Sequence, residues 1–482
     1  MMKKPEVKAF FAAVLAIIGA ANADARNTKS TLEKSACPTE ALQVVDAVCY
    51  TADLPEDHKA PDGARVQIPV AVLKGDNEGA PLFYFPGYPG ESVLGYLDDI
   101  KTLRDGAGGR DLVLFDYRGS HRASPSLDCD LSLGRLSAYD NIFSPVVYDT
   151  AEAQTRFKKL TDYFETCHAD LKSSGVAFEH YNDYGVAHDV EAIRKALGYK
   201  KIHVAGHSAG GGTILTQARY FPSSVASIIA ESPWPTWTRN RAMIDEFYAA
   251  REHYLQKLAP FVGERLQGRI FSILDLDKAR RALDAMPYML NAGEETHRFD
   301  GAGLFHRLYV QPPKDYKALA ALLAAIADGD RSGLRAFIGE PTGTPGAQEG
   351  PAPYGLYLSW ICGDMGADKL SKTETRAMVQ AEPALLGFEV GLACPWWDTE
   401  GDVPPEHNSA PVLDIPVLVV TGERDACCGR RMADELRTIS PVVQTAEIKG
   451  RGHRVLGECR SALVRQFLDN PASPIDKSCT RK

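Results

Sequence analysis

The chain has 482 residues, with 44% hydrophobic and 24% charged residues and a formal net charge of −9. That length exceeds one simple domain and suits a core domain carrying a large insertion. The acidic balance and the lack of a basic cluster argue against nucleic acid or anionic lipid as a partner.

Lys3, Lys4 and Lys8 precede an apolar run from Phe10 to Ala20, and Ala21-Asn22-Ala23 supplies small residues for cleavage before Asp24. This pattern predicts an export signal over 1–23 and a mature protein in the periplasm or the medium. The run is too short to span a bilayer, so no membrane association is expected after its removal. Stretches 43–52, 64–74 and 80–85 carry the β-branched and aromatic residues of strands, with a turn at 75–79. Residues 110–119 read as a buried strand entering a polar loop. Helices are expected at 151–174 and 185–197. A strand at 201–205, a helix at 211–220 and strands at 224–230, 416–421 and 444–448 complete the set. Strands alternating with helices predict an α/β fold with a mostly parallel central sheet and helices on both faces. Between them, 234–411 is dominated by helical stretches such as 241–262 and 316–329, with a Gly/Pro-rich loop at 339–355. The expected organisation is a signal (1–23), a first core part (24–235), a mainly helical cap (236–410) and a second core part (411–482).

Ten cysteines fit an oxidising compartment. They form no C-x-x-C pair and do not cluster with histidines as in a zinc site. Local disulfides Cys37–Cys49, Cys129–Cys167, Cys362–Cys394 and Cys459–Cys479 are expected, leaving the adjacent Cys427 and Cys428 as candidates for a strained vicinal disulfide that braces the neighbouring loop.

Gly206-His207-Ser208-Ala209-Gly210 is a G-x-S-x-G sequence between a predicted strand and a predicted helix. In that context it reads as a nucleophile elbow, with Ser208 on a strained turn and the Ala209 N–H aimed at a developing oxyanion. A serine nucleophile needs a base, and the base needs an orienting acid. In the α/β-hydrolase order these follow as acid and then histidine. Asp425 lies just past the strand at 416–421, and His453 lies in the glycine-containing loop after the last strand. Asp414 precedes its strand and falls at the wrong end of the sheet. His207 reads as a packing neighbour rather than the base. The second oxyanion donor is expected from the loop 86–90, at Tyr88. Asp116 and Arg118 are expected to pair and brace that loop, with Arg118 keeping Asp116 charged.

Pro86-Gly87-Tyr88-Pro89-Gly90, Asp116-Tyr117-Arg118-Gly119 and Gly206-His207-Ser208-Ala209-Gly210 together resemble motifs of the prolyl aminopeptidase and tripeptidyl aminopeptidase family of serine peptidases. The family's acid and histidine fall on Asp425 and His453. Cys394-Pro395-Trp396 and the C-terminal Cys459 and Cys479 are similar to elements of its secreted members. The chain departs from the pattern at Pro86, Tyr88 and Ala209, where the family has His, Gly and an aromatic residue. The resemblance implies an α/β-hydrolase with an inserted helical cap, acting as an exported serine exopeptidase. Its substrate would be a peptide or a small ester, and its acyl-enzyme chemistry would need no metal or organic cofactor. An aminopeptidase must also bind a substrate ammonium, for which Glu231, past the strand at 224–230, and Glu246 in the cap are the candidates. A carboxylesterase, a non-catalytic binding protein on the same fold and a cofactor-free lyase or haloperoxidase-like enzyme stay open as alternatives.

Overall fold

The computed structural model describes residues 31–87, 89–90, 92–129, 150–238, 252–286, 288–292, 295–299, 301, 304, 307–308, 313–338, 354–364, 370–381, 394–399, 401, 403–425 and 428–481. The expected signal at 1–23, most of the 339–355 loop, and Tyr88, Glu246 and Cys427 lie outside the described residues.

Nine strands form the central sheet: β1 (Thr31–Lys34), β2 (Val48–Pro55), β3 (Arg65–Leu73), β4 (Leu82–Phe85), β5 (Leu112–Phe115), β6 (Ile202–His207), β7 (Val225–Glu231), β8 (Val417–Gly422) and β9 (Val443–Ile448). Their order is β1-β2-β3-β5-β4-β6-β7-β8-β9. The pairings from β1 to β5 through β2 and β3 are antiparallel. Every pairing from β5 onward is parallel. The sheet is therefore mixed but largely parallel, as the alternating pattern predicts.

Side-chain alternation divides the core cleanly between the two faces. Phe83, Phe85, Val113, Val204, Ile228 and Val419 enter one cluster. Their neighbours Leu82, Tyr84, Leu112, Leu114, Ala205, Ile229, Leu418 and Val420 enter the other. Both faces are dry, which is why β4, β5 and β8 read as continuous apolar runs. Helices α1 (Leu97–Gly106), α2 (Thr150–Ser173), α3 (Asp183–Ala196) and α4 (Ala209–Tyr220) flank the sheet, with α8 (Glu458–Asp469) near the C-terminus. Ile100 and Leu103 of α1 pack with Leu463, Val464 and Phe467 of α8 on one face. Val186, Val190 and Ile193 of α3 pack with Ile214, Leu215 and Ala218 of α4 on the other.

One early element differs from expectation. Residues 43–44, expected to begin a strand, end a short helix, Glu40–Val44, and the strand starts at Val48. Thr39 caps that helix, its hydroxyl accepting the Leu42 N–H at 3.4 Å. Local capping thus overrides the β-branched pair Val44-Val45.

The region between β7 and β8 is an inserted, largely helical segment. It contains α5 (Asp275–Ala285), α6 (Tyr316–Ala327) and α7 (Tyr354–Asp364). It also holds two small antiparallel hairpins that the helical pattern did not suggest, Arg265–Leu266 with Arg269–Ile270 and Tyr288–Ala292 with Glu295–Phe299. Residues of 254–334, including Leu276, Leu283, Leu319, Leu323 and Ile326, form a separate apolar cluster. Helix α7 behaves differently: it is buried along its whole length, and Leu358, Trp360 and Ile361 join the core beneath the sheet.

The four local disulfides expected from the cysteine order are formed: Cys37–Cys49, Cys129–Cys167, Cys362–Cys394 and Cys459–Cys479. Cys428 is also disulfide-bonded. This usage fits an oxidising, extracytoplasmic compartment. Among the described residues no helix is long and apolar enough to cross a membrane.

Candidate functional site

The carboxyl ends of five adjacent strands build the site. In register, Phe85 of β4 faces Gly206 of β6, His207 of β6 faces Glu231 of β7, and Glu231 faces Val420 of β8. Gly422 of β8 faces Ile448 of β9. The loops that leave these ends therefore start side by side, and main-chain hydrogen bonds tie them together. The Gly210 N–H donates to Gly87 O at 3.2 Å, the Ser232 N–H to Val420 O at 2.8 Å and the Arg424 N–H to Arg451 O at 2.9 Å.

Ser208 occupies the turn between β6 and α4 at φ 54° and ψ −121°. A positive φ is costly for a residue with a Cβ and persists only where the surroundings fix it. Here they do: the Ser208 N–H donates to Glu231 O at 2.9 Å, and Ser208 O accepts from the Trp234 N–H at 2.8 Å. The flanking glycines are steric requirements. A Cβ on Gly206 would lie 2.4 Å from Gly210 O, and one on Gly210 would lie 2.2 Å from Pro86 O. Ala209 begins α4, so the positive end of that helix dipole faces the turn.

Asp425 and His453 are brought together. His453 Nδ1 lies 3.2 and 3.3 Å from the two carboxylate oxygens of Asp425. The Asp425 side chain is buried, and one oxygen also accepts the Cys428 N–H at 3.1 Å. Burial pushes this carboxyl up, but the His453 charge and these hydrogen bonds outweigh it and hold it below the usual carboxylate range. His207 joins the pair to the elbow. Its Nε2 lies 3.0 Å from His453 O, and the two rings are 4.6 Å apart. Burial, with His453 alongside, pushes His207 down to about 3, so its ring is neutral at ordinary pH.

The bracing of the 86–90 loop differs from expectation. Arg118 does not pair with Asp116. It turns to Asp189 on α3, with Nε donating to Oδ2 at 2.7 Å and Nη2 to Oδ1 at 2.6 Å. Burial lowers this guanidinium, but the Asp189 carboxylate more than offsets it and the Arg118 pKa is raised. Arg118 Nη1 also donates to the main-chain oxygens of Glu56 and His180 at 2.6 and 3.0 Å, so the guanidinium is drawn away from Asp116 by partners distant in sequence. The Tyr117 hydroxyl donates to Pro86 O at 2.8 Å, so the middle residue of the motif holds the loop. Asp116 is fully buried, with Arg122 Nη1 3.7 Å away as a neighbouring cation. Burial pushes its carboxyl up to about 6, against the expectation that Arg118 lowers it.

Glu231 is also placed differently from a substrate-facing carboxylate. Its side chain is 0% exposed and lies against Arg460 of α8, itself 0% exposed. Arg460 Nε donates to Glu231 Oε1 at 2.7 Å, and Nη2 makes a second, shorter contact with the same oxygen. Arg460 carries no motif. The arginine in the otherwise apolar face of α8 was its only trace in the sequence.

A family model described as the alpha/beta hydrolase fold matches residues 80–458. Among curated proteins, the tripeptidyl aminopeptidase of Streptomyces lividans is 26% identical over 223 residues, or 44% of this chain and 40% of that protein. Serine protease Hip1 of Mycobacterium tuberculosis (strain ATCC 25618 / H37Rv) is 32% identical over 194 residues, or 38% of this chain and 35% of that protein. These matches span less than half the length of either relative. A solved proline iminopeptidase from Mycobacterium smegmatis aligns with 88% of this chain and 98% of its own at 15% identity and a TM-score of 0.41. The chain belongs to the family of alpha/beta hydrolase fold proteins, and it is distantly related to serine peptidases of the tripeptidyl aminopeptidase kind.

Proposed function

We propose that the protein is a serine hydrolase in which Ser208 attacks a substrate carbonyl, His453 takes the hydroxyl proton and Asp425 holds the imidazole. The observation that carries this reading is the contact of His207 with His453. It sets the carboxylate-bound histidine beside the residue that precedes Ser208 in the elbow. The N–H of Ala209 and that of Tyr88 are the proposed oxyanion donors. In the first step the Ser208 Oγ–carbonyl bond forms and His453 Nε2 receives the proton. Collapse then expels the amine or alcohol, which takes that proton, and leaves an acyl-enzyme. Water activated by His453 releases the acyl group and restores Ser208. The chemistry needs no metal or organic cofactor.

The substrate class proposed is a peptide with a free amino terminus, from which the enzyme releases N-terminal residues or short peptides in an extracytoplasmic compartment. The relation to a tripeptidyl aminopeptidase and to a serine protease supports it. The Glu231–Arg460 pair directs the search for the ammonium-binding group away from Glu231 and toward the inserted region, where Glu246 is the remaining candidate. A carboxylesterase is the second reading. It is favoured by the same Glu231 observation, because ester substrates need no ammonium site.

The test compares tripeptide and aminoacyl anilides, their N-acetylated forms and p-nitrophenyl esters on the wild type and on Ser208→Ala. Anilide turnover that falls by about a millionfold in the folded variant is expected for loss of the nucleophile. Undiminished turnover would remove Ser208 from that role. Loss of anilide cleavage on N-acetylation supports an aminopeptidase, whereas ester turnover without anilide turnover assigns an esterase.

A further inference from the structure

Beside α4, four segments converge on a buried polar cluster. Asp183 opens α3, Asp364 ends α7, and His407 lies in the 3-10 turn Pro405–Asn408. One ligand-capable atom from each of the three lies within 4.8 Å of the others. All three side chains are inaccessible: Asp183 and Asp364 are 0% exposed and His407 is 1% exposed. His407 Nε2 lies 3.0 Å from Asp364 Oδ1. Asp183 Oδ1 accepts from Thr213 Oγ1 at 2.6 Å and from Trp360 Nε1 at 2.7 Å. Both of these donors are neutral.

Two carboxylates and one imidazole are an expensive group to bury. Taking an anion out of water costs several kcal/mol unless a counter-charge compensates it. Unpartnered buried polar atoms occur in the cluster and on the helix beside it. His407 Nδ1 is buried without a hydrogen-bond partner, and so are both amide atoms of Gln217, a residue 0% exposed. Gln217 follows Thr213 by four residues on α4, which sets it on the same helix face, one turn along. Interior polar groups are nearly always satisfied, so orphaned donors and acceptors around a doubly acidic cluster point to a ligand that is both cationic and hydrated.

We propose that Asp183, Asp364 and His407 bind one divalent cation of the zinc class. Mixed carboxylate and imidazole donors suit a borderline transition metal better than calcium, which prefers oxygen ligands alone. The ion is structural. It joins the inserted region, through α7 and the turn at 405–408, to α3, and through the Thr213–Asp183 hydrogen bond to α4. Thr213 Oγ1 also bonds Ala209 O at 3.1 Å, so the cluster is one helical turn from Ser208. The ligands are separated by long stretches of chain, which is why no metal-binding spacing marks them in the sequence.

The test uses tag-free full-length protein, stripped with a chelator and then loaded separately with ZnCl2, MnCl2 and CaCl2. After desalting, metal is counted by mass spectrometry and thermal unfolding is recorded. About one zinc per chain is expected, with a rise of several degrees in Tm, since a ligand bound only by the folded state stabilises it. Binding should weaken on the order of a hundredfold or more in His407→Gln and in Asp364→Asn, and should persist in His453→Ala. If these ligand variants do not fold, the visible spectrum of cobalt-loaded wild type replaces them. Ligand-field bands that zinc abolishes, retained in His453→Ala, support the site. Less than a tenth of an equivalent of any metal would overturn the proposal. Undiminished zinc binding in a folded His407→Gln protein would also overturn it.

Discussion

His207 Nε2 lies 3.0 Å from the main-chain oxygen of His453. The residue before the proposed nucleophile therefore holds the loop that carries the proposed base. The contact couples two elements, the β6–α4 elbow and the β9–α8 loop, that approach each other only through tertiary packing. Because burial keeps the His207 ring neutral, it serves as an uncharged spacer and hydrogen-bond donor. His207→Ala should lower kcat about 10- to 100-fold with KM within about twofold, as expected when a catalytic group is misplaced by about 1 Å. Steady-state kinetics on protein with an unchanged circular dichroism spectrum checks this. A KM effect alone would place His207 in substrate binding instead.

Tyr117→Phe probes the brace on the 86–90 loop. The substitution removes the buried hydroxyl that donates to Pro86 O. A buried acceptor left unpaired costs about 1–3 kcal/mol. Part of that cost should appear in catalysis, because the loop carries the proposed oxyanion donor Tyr88. The expected outcome is a several-fold fall in kcat together with a measurable fall in urea stability. A stability loss with unchanged kcat would separate the loop from the chemistry.

Glu231 and Arg460 form a fully buried pair. Removing one partner leaves the other charge uncompensated, and such changes typically cost about 3–5 kcal/mol. Glu231→Ala and Arg460→Ala should each destabilise by that order. Glu231→Leu combined with Arg460→Met should recover most of it, since an apolar pair of similar volume avoids desolvation altogether. Urea unfolding of the two single variants and the double variant measures the coupling. Additive losses would show that the pair is energetically independent. Free and N-acetylated substrates should be affected equally by Arg460→Ala, because both side chains of the pair are fully buried.

Much of this architecture was legible in the sequence, for identifiable reasons. The elbow was readable because Gly206 and Gly210 meet a steric demand that no other residue satisfies at those close approaches. The strands β4, β5 and β8 were readable because burial on both faces leaves continuous apolar runs. Asp425 and His453 followed from their positions beyond late strands. The local disulfides followed from cysteine order. What the sequence hid was partner choice. Arg118 is two residues from Asp116 but binds Asp189, 71 positions away. Glu231 sits at the correct sheet edge for a ligand yet meets an arginine 229 positions on. Long-range pairing of charged side chains depends on which helix face packs where, and hydrophobic periodicity does not encode it. The two hairpins of the inserted region escaped for a related reason, since segments this short carry too few residues to show a period.

Asp116 should make stability depend on pH in a direction opposite to that of most carboxylates. Burial pushes its pKa from the ordinary 3.8 up to about 6 in the folded protein. Between these values the native state binds more protons than the unfolded state, so stability falls as pH rises. The contribution is fully present below about pH 4 and is lost as pH passes through about 6. A shift of this size corresponds to about 3 kcal/mol as an upper bound. Most acidic groups act the other way, so the test is a difference. Asp116→Asn keeps the shape of the protonated acid and cannot ionise. Relative to wild type it should gain stability progressively from about pH 4 to pH 6, with the midpoint of the gain near pH 5 and a plateau above that range. Urea midpoints measured across that range for both proteins give the curve. A constant offset would mean that Asp116 stays ionised throughout, held by Arg122 3.7 Å away.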